Sequence, residues 1–268
     1  MRETRVYLLD GGSLELDGFH IFWNKGPAGA VRIPCYSVLV VHDEGNLVFD
    51  TGFDLAHVET VLPFERPGQS AEQTIPGQLA KVGVAPGHIT HLVNSHFHFD
   101  HCGGNKHLSN AAVYCHEAEF RAADSPEPFE VLGYSDVSFA PELARRQAVA
   151  ETDSALASVY APRIEQISGD QEIFKGVRII ETPGHSAGHY SLLVELGHRR
   201  PMLFTADAAY GPASLDTLCI SGFHFDPVAS IRSMRRLKQI AEETGAELFF
   251  SHDASSYAGY LKAPGYYY

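Results

Sequence analysis

The sequence has no uninterrupted apolar run of about 18 residues, the length that a helix needs to cross a bilayer. Its first residues, Met1-Arg2-Glu3-Thr4-Arg5, lead directly into a strand-like run. They lack the apolar segment and the small-residue cleavage site of a secretory signal. These absences predict a soluble cytoplasmic protein with no membrane partner.

The chain also lacks an excess of positive charge. It has 20 Lys and Arg against 33 Asp and Glu, which gives a formal net charge of −13. Nucleic-acid binding needs a basic footprint, so we expect no nucleic-acid partner. There is no CxxC pair either, and scattered cysteines in a cytosolic protein are expected to be reduced and mostly buried: Cys35, Cys102, Cys115 and Cys219.

Strand-like and helix-like patterns occur in both halves of the chain. In the first half, strands are predicted at residues 6–9, 18–22, 36–42, 46–50, 89–94 and 112–115, with Gly11-Gly12 as one of the breaks. In the second half they are predicted at residues 177–181, 190–195, 202–205 and 247–250. The clearest helix has Asp226 as its N-cap and Pro227 in its first turn, and Gly245 ends it. This pattern favours an α/β fold in which two sheets pack face to face under helices, an αββα sandwich in one domain spanning residues 1–268.

The stretch from about residue 124 to residue 162 differs from the rest of the chain. It carries four prolines and a polar, helix-like segment at residues 141–159. Long connections of this kind are often functional. We therefore predict a lid or insertion over the functional site.

The most informative segment runs from Asn94 to Asn105, where three imidazoles and a carboxylate fall within six residues. A predicted strand ends at about Ser95, so these side chains project from the loop that follows it. Neutral imidazole and carboxylate are ligands that suit zinc. The grouping predicts a metal site that includes His96, His98, Asp100 and His101.

Three further candidate ligands lie at the ends of later predicted strands. These are His185, Asp207 and His252. A lone histidine at a strand end is more often a hydrogen-bonding group than a ligand. Their common placement nevertheless favours a site with two metals, and the two carboxylate oxygens of Asp207 could bridge them.

The segment HFHFDH resembles the HxHxDH signature of the metallo-β-lactamase superfamily, and TPGHSAGH, LFTADAAY and SHD are similar to its remaining ligand motifs, in the same order. The resemblance covers nearly the whole chain. It implies the αββα fold more directly than the strand and helix patterns do. It also implies two zinc ions, one held by His96, His98 and His185, the other by Asp100, His101 and His252, with Asp207 between them.

The mechanism that the resemblance implies is hydrolysis. Two zinc ions would share a hydroxide that attacks a carbonyl group, and they would stabilise the oxyanion that forms. In lactonases of this superfamily, a tyrosine at the position of Tyr210 points at the metal pair and would hydrogen-bond the substrate carbonyl. The catalytic residues expected on this basis are Asp100, Asp207 and Tyr210.

Within the lactonase branch, the chain is most similar to the 4-pyridoxolactonases of vitamin B6 degradation. The stretches that carry this likeness are residues 6–14, 94–105, 184–195 and 224–229. The expected reaction is hydrolysis of 4-pyridoxolactone to 4-pyridoxic acid. Aromatic residues available to stack on such a flat substrate are Phe19, Phe22, Trp23, Tyr36, Phe223 and Phe225.

Two alternatives remain open at this point. An N-acyl-homoserine lactonase, which acts in quorum quenching, shares the metal motif and the tyrosine but needs an apolar groove for the acyl tail. A mononuclear iron dioxygenase on the same fold would use only two histidines and one aspartate, so metal analysis would separate it. The partner expected from the resemblance is a small-molecule lactone substrate. A second copy of the chain, in a homodimer, is a further possible partner.

Overall fold

The computed structural model describes residues 3–136, 138–139 and 163–268, and within these residues the strands form two sheets. The first sheet contains β1 Arg5–Asp17, β2 Ala30–His42, β3 Gly45–Phe49, β4 His91–Val93, β5 Ala112–His116 and β6 Arg163–Ile167. The second sheet contains β7 Gln171–Phe174, β8 Val177–Glu181, β9 Tyr190–Val194, β10 Met202–Phe204 and β11 Glu247–Phe249.

Both sheets are mixed. In the first, the strands follow chain order; β1, β2 and β3 pair antiparallel, and β3 to β6 pair parallel. In the second, the order is β11-β10-β9-β8-β7, and only β10 and β11 are parallel. Because β10 and β11 run parallel, their carboxyl ends lie at the same edge of the second sheet.

The helices lie outside the two sheets. They are α1 Gly18–Ile21, α2 Leu55–Val61, α3 Ile75–Lys81, α4 Phe99–Cys102, α5 Glu117–Asp124, α6 Pro212–Thr217, α7 Pro227–Thr244 and α8 Ala254–Gly259. The predicted start and end of α7 are confirmed. The Asp226 side chain accepts from the N–H groups of Val228 and Ala229, and Gly245 adopts the left-handed φ of 67° that ends the helix.

Of the four apolar clusters in the described residues, three form layers on the faces of the two sheets, because each sheet face must bury its hydrophobic side chains. The central layer lies between the sheets and includes Val40, Phe49, Ile179 and Phe204. A second layer packs α3 on the outer face of the first sheet through Leu79. A third packs α7 on the second sheet through Met234, Leu237 and their neighbours. The predicted αββα sandwich is thus observed.

The structure corrects two predictions of local structure and adds two strands. Residues 18–21 form the helix α1 instead of a strand, since the Asp17 side chain caps the N–H of Phe19 at 3.0 Å. Gly11-Gly12 does not break the first strand but lies at a bulge inside β1, between Asp10 and Ser13. The strands β6 and β7 were not predicted at all.

The proposed lid falls largely outside the described residues. Of the stretch from 124 to 162, only residues 124–136 and 138–139 are described, and the predicted helical segment at 141–159 lies beyond them. The lid therefore stays a prediction, as does the single-domain boundary. No helix in the described part of the chain is long and apolar enough to cross a membrane.

Candidate active site

The seven candidate ligands come together at the ends of strands from both sheets. His96 and His98 follow β4, and Asp100 and His101 lie on the short helix α4 that comes next. The other three follow β8, β10 and β11 in turn: His185, Asp207 and His252. Five of these seven residues are buried, and His96 fully so, whereas His98 and Asp100 are half-buried.

These side chains form two neighbouring groups. In the first, the ligand atoms of His96, His98 and His185 lie within 4.8 Å of one another, and His98 Nδ1 is 3.1 Å from His185 Nε2. In the second, Asp100 Oδ2 is 3.6 Å from Nε2 of both His101 and His252. Each group supplies three donor atoms, which is the number that a catalytic zinc site takes from the protein.

Asp207 lies between the two groups. Its Oδ2 is 3.4 Å from His185 Nε2, while its Oδ1 is 3.3 Å from His101 Nε2 and 3.2 Å from His252 Nε2. One carboxylate oxygen thus faces each group. This is the arrangement that a carboxylate shared by two ions requires.

The ring nitrogens that point away from the centre are held by hydrogen bonds. His101 Nδ1 donates to Asp50 Oδ2 at 2.8 Å, and His252 Nδ1 donates to the Pro34 carbonyl at 2.9 Å. Such partners fix the tautomer, so that the opposite nitrogen presents a lone pair to a metal. The two rings are therefore prepared to bind through Nε2.

The chemistry of the donor set fits zinc ions. Three buried atoms that face the centre have no hydrogen-bond partner among the described residues: His96 Nε2, His101 Nε2 and Asp207 Oδ1. A buried polar atom without a partner costs about 1–3 kcal/mol. Cations coordinated by these nitrogens and oxygens would remove that cost, and a set of imidazoles and carboxylates is one that zinc prefers.

The protonation of the site also suits metal binding. Burial lowers the pKa of His96 and His185 well below the usual range of histidine, so both rings are neutral as ligands must be. Burial opposes the charge of Asp207, but His252 and His101 hold the pKa of this carboxyl well below its usual range. In turn, Asp207 and Asp100 outweigh burial and raise the pKa of His101 well above its usual range. Without metal, a proton on His101 helps to balance the negative charge of the aspartates, and bound cations would replace that proton.

Two buried carboxylates behind the ligands were not found by sequence reasoning. Asp50 accepts from the N–H of Ser95 at 2.7 Å as well as from His101, and its φ of 59° is unusual for a residue other than glycine. Glu119 accepts from the N–H of Phe97 at 2.9 Å and from that of Gly188 at 3.1 Å, and so joins two loops that carry ligands. Asp50 follows β3 directly, a strand-end position that could have identified it.

His189 is tied to the centre through hydrogen bonds. Its Nε2 accepts from the N–H of Asp207 at 3.1 Å, which leaves Nδ1 to donate to Thr182 Oγ1 at 2.9 Å. The chain of hydrogen bonds continues through Ser191 to the Thr205 carbonyl, with distances of 2.9 Å at each step. Burial lowers the pKa of His189 to about 3, so the ring stays neutral in this role.

A cavity of about 620 Å³ opens onto the metal-ligand cluster. Its walls are mostly apolar and include Leu14, Leu16, Ile33, Leu62, Phe64, Phe99, Phe129, Leu132 and Phe223. Of the aromatic residues offered by the sequence for stacking, only Phe223 lines this cavity; Tyr36, for example, stacks on Tyr257 instead. Phe64 and Phe129 were not anticipated, because nothing in the sequence relates them to the ligand motifs.

Tyr210 lies where the cavity meets the ligands. Its ring centroid is 4.8 Å from that of His252 and 5.9 Å from that of His185. Burial, with the charges of Asp207 and Asp100, raises the pKa of its hydroxyl well above the usual range. The phenol therefore stays protonated and can act as a hydrogen-bond donor.

All four cysteines are buried and free, as predicted. The sequence places Cys102 directly after the candidate ligand His101, but it did not indicate that Cys35 adjoins the site. Cys35 Sγ lies within 4.8 Å of the ligand atoms of Asp100 and His252, and burial raises the pKa of its thiol well above the usual range.

The chain belongs to the metallo-beta-lactamase superfamily, whose family model matches residues 30–252, and within it to the lactonase branch. The N-acyl homoserine lactonase AttM of Azorhizobium caulinodans is 30% identical over the full length of both chains. An N-acyl homoserine lactonase of Bacillus cereus is 29% identical over 99% of this chain and all of its own.

Solved structures agree with this assignment. An N-acyl homoserine lactone hydrolase with the product N-hexanoyl-L-homoserine at its catalytic metal center is 26% identical, with full coverage of both chains and a TM-score of 0.81. AidC, a dizinc quorum-quenching lactonase, shares the fold with a TM-score of 0.68 at 17% identity, over 99% of this chain and 94% of its own. These relatives support the lactonase branch but not the expected closer likeness to 4-pyridoxolactonases.

Proposed function

We propose that this chain is a dinuclear zinc lactonase that hydrolyses N-acyl homoserine lactones. The observation that carries the proposal is the position of Asp207, with one carboxylate oxygen toward each of two three-residue groups at the mouth of an apolar cavity. Relatives matched over the full length of the chain are named for this activity. Of the two substrates that the sequence left open, an acyl homoserine lactone, whose tail needs an apolar groove, is thus favoured over the pyridine-fused lactone.

The ligand sets that we propose are those implied by the family resemblance. One zinc ion would be held by His96, His98 and His185, and the other by Asp100, His101 and His252, with Asp207 shared. When bound, the ions would supply Lewis acidity and a hydrolytic nucleophile at neutral pH. A homodimer remains a prediction.

The protein's own side chains would orient the substrate. Tyr210 would donate its hydroxyl proton in a hydrogen bond to the lactone carbonyl, since its O–H is kept neutral and lines the cavity beside the ligands. As negative charge develops on that oxygen, the hydrogen bond would strengthen. The apolar walls would bury the acyl tail and exclude water from it.

A second candidate is hydrolysis of 4-pyridoxolactone to 4-pyridoxic acid. The cavity has polar residues that a hydrocarbon tail does not need, among them Glu65, Glu130 and His224. Together with Phe64 and Phe223, they could accommodate a flat ring that carries polar substituents. This candidate keeps the same metal centre and the same bond cleavage.

The test is a parallel assay of the purified, zinc-loaded protein. N-hexanoyl-homoserine lactone and 4-pyridoxolactone are each supplied, and the acid released by ring opening is followed together with the metal content. Turnover of the acyl lactone with two zinc ions per chain supports the proposal. Turnover of 4-pyridoxolactone alone would replace it with the second candidate, and one iron per chain with no turnover of either would contradict both.

A further inference from the structure

A buried carboxyl group in the substrate cavity has no task in the metal centre. Glu65 lines the cavity, yet the residue is only 6% exposed. Its Oε2 has no hydrogen-bond partner among the residues that the structure describes. Burying such a group without a partner is costly, so a ligand that donates a hydrogen bond to the carboxyl group would offset that cost.

The turn that carries Glu65 is firmly held. Glu65 ends a short 3-10 helix, Pro63–Glu65, and Arg66 after it adopts a left-handed φ of 41°. The carbonyl of Arg66 accepts from Arg32 at 2.8 Å, and the Arg66 guanidinium contacts Glu15 at 3.3 Å. A strained and anchored turn indicates that the inward position of Glu65 is built into the fold.

Glu65 lines the same cavity as Asp100, Tyr210 and His252 of the metal end. Burial and then the charge of Asp100 raise the pKa of Glu65 to about 8, whereas His252 lowers it. A ligand that fills this cavity therefore meets Glu65 and the candidate metal ligands together. A carboxyl group keeps an acceptor oxygen in either protonation state, so Glu65 can accept a hydrogen bond whether or not it is ionised.

We infer that Glu65 selects lactones that carry a hydrogen-bond donor beside the ring, by accepting a hydrogen bond from that donor. This inference rests on the proposed function and defines its substrate class more closely. In an acyl homoserine lactone the donor is the amide N–H on the ring carbon next to the carbonyl. A lactone with only hydrocarbon or ester substituents leaves Glu65 unpartnered and binds less well.

The test compares two substrates that differ in a single group. N-hexanoyl-homoserine lactone is compared with its ester analogue, α-hexanoyloxy-γ-butyrolactone, in which an oxygen replaces the N–H. The variants are Glu65→Leu, which removes the acceptor, and Glu65→Gln, which keeps an acceptor oxygen. The control is Glu59→Gln, which makes the same side-chain replacement at an exposed position on α2.

We expect Glu65→Leu to lower kcat/KM for the amide substrate about tenfold or more. The value of kcat/KM for the ester analogue should change by less than about threefold. Glu65→Gln should retain most of the preference for the amide, and the control should match the parent protein. Zinc content should be the same in all variants. Equal loss on both substrates, or no loss on the amide, would overturn the inference.

A binding measurement separates the two proposals. The ring-opened product N-hexanoyl-L-homoserine still has the amide N–H, and its affinity for the zinc-loaded protein can be measured by calorimetry. Product binding that Glu65→Leu weakens about tenfold, without turnover of the lactone, would contradict the proposed function and support the role of Glu65. The absence of both product binding and turnover of the amide substrate would overturn both proposals.

Discussion

The backbone N–H of Asp207 donates a hydrogen bond to Nε2 of His189, with 3.1 Å between the two nitrogens. Because His189 is fixed from its other side by Thr182, this contact sets the position of the residue that faces both groups of ligands. Ala206, directly before Asp207, has a left-handed φ of 43°. The local backbone is therefore strained and depends on such support.

Replacing His189 by Leu is expected to weaken zinc binding about tenfold or more, because partners behind a ligand contribute that much to metal affinity. His189→Gln, whose amide oxygen can accept from the Asp207 N–H, should lose less. Metal affinity measured by competition with a chelator checks this. Equal affinities for the parent protein and His189→Leu would show that the hydrogen bond does not position Asp207.

Replacing Asp207 by Ala is expected to remove bound metal and lactonase activity together, since the carboxylate faces both groups of ligands. The matched control is Asp216→Ala, which removes an exposed carboxylate from α6 and should leave both properties intact. Metal analysis and turnover are measured on the same preparations. Full metal content in Asp207→Ala would contradict the shared-ligand assignment.

Replacing Tyr210 by Phe should leave the metal content unchanged and lower kcat about tenfold or more, because one donor to the developing oxyanion is lost. The ring itself remains, so its packing against His252 is preserved. Steady-state kinetics with metal analysis provide the check. An unchanged rate would mean that the hydroxyl does not contact the carbonyl oxygen in the transition state.

Removing metal with a chelator should lower the thermal midpoint by at least about 5 °C, since it leaves several buried polar atoms unpartnered. Adding zinc should restore both the midpoint and the activity. Differential scanning calorimetry on the depleted and the restored protein measures this. A midpoint that does not respond to chelation would argue against ions at these atoms.

The seven candidate ligands could be predicted because four of them stand in one short motif and the others follow strands. Supporting residues were harder to find, since their contacts join distant parts of the chain. Asp50 and His101 are 51 positions apart, and Phe97 and Glu119 are 22 apart. No local pattern encodes such pairs.

The two unpredicted strands show a similar limit. β6, with the sequence RIEQI, is the outermost strand of its sheet, and its side chains are exposed or only half-buried. β7, with the sequence QEIF, is the outermost strand of the other sheet and has only one buried residue, Phe174. Hydrophobic periodicity identifies strands through their buried face, and these edge strands have little of it.

The ligands are divided between the two leaves of the sandwich. The first sheet leads into His96, His98, Asp100 and His101, and the second into His185, Asp207 and His252. With the ligand sets proposed above, neither sheet alone leads into all the ligands of either ion. With these ligand sets, we expect a complete metal site to form only after the two sheets have packed together, so that a half-folded chain would be inactive.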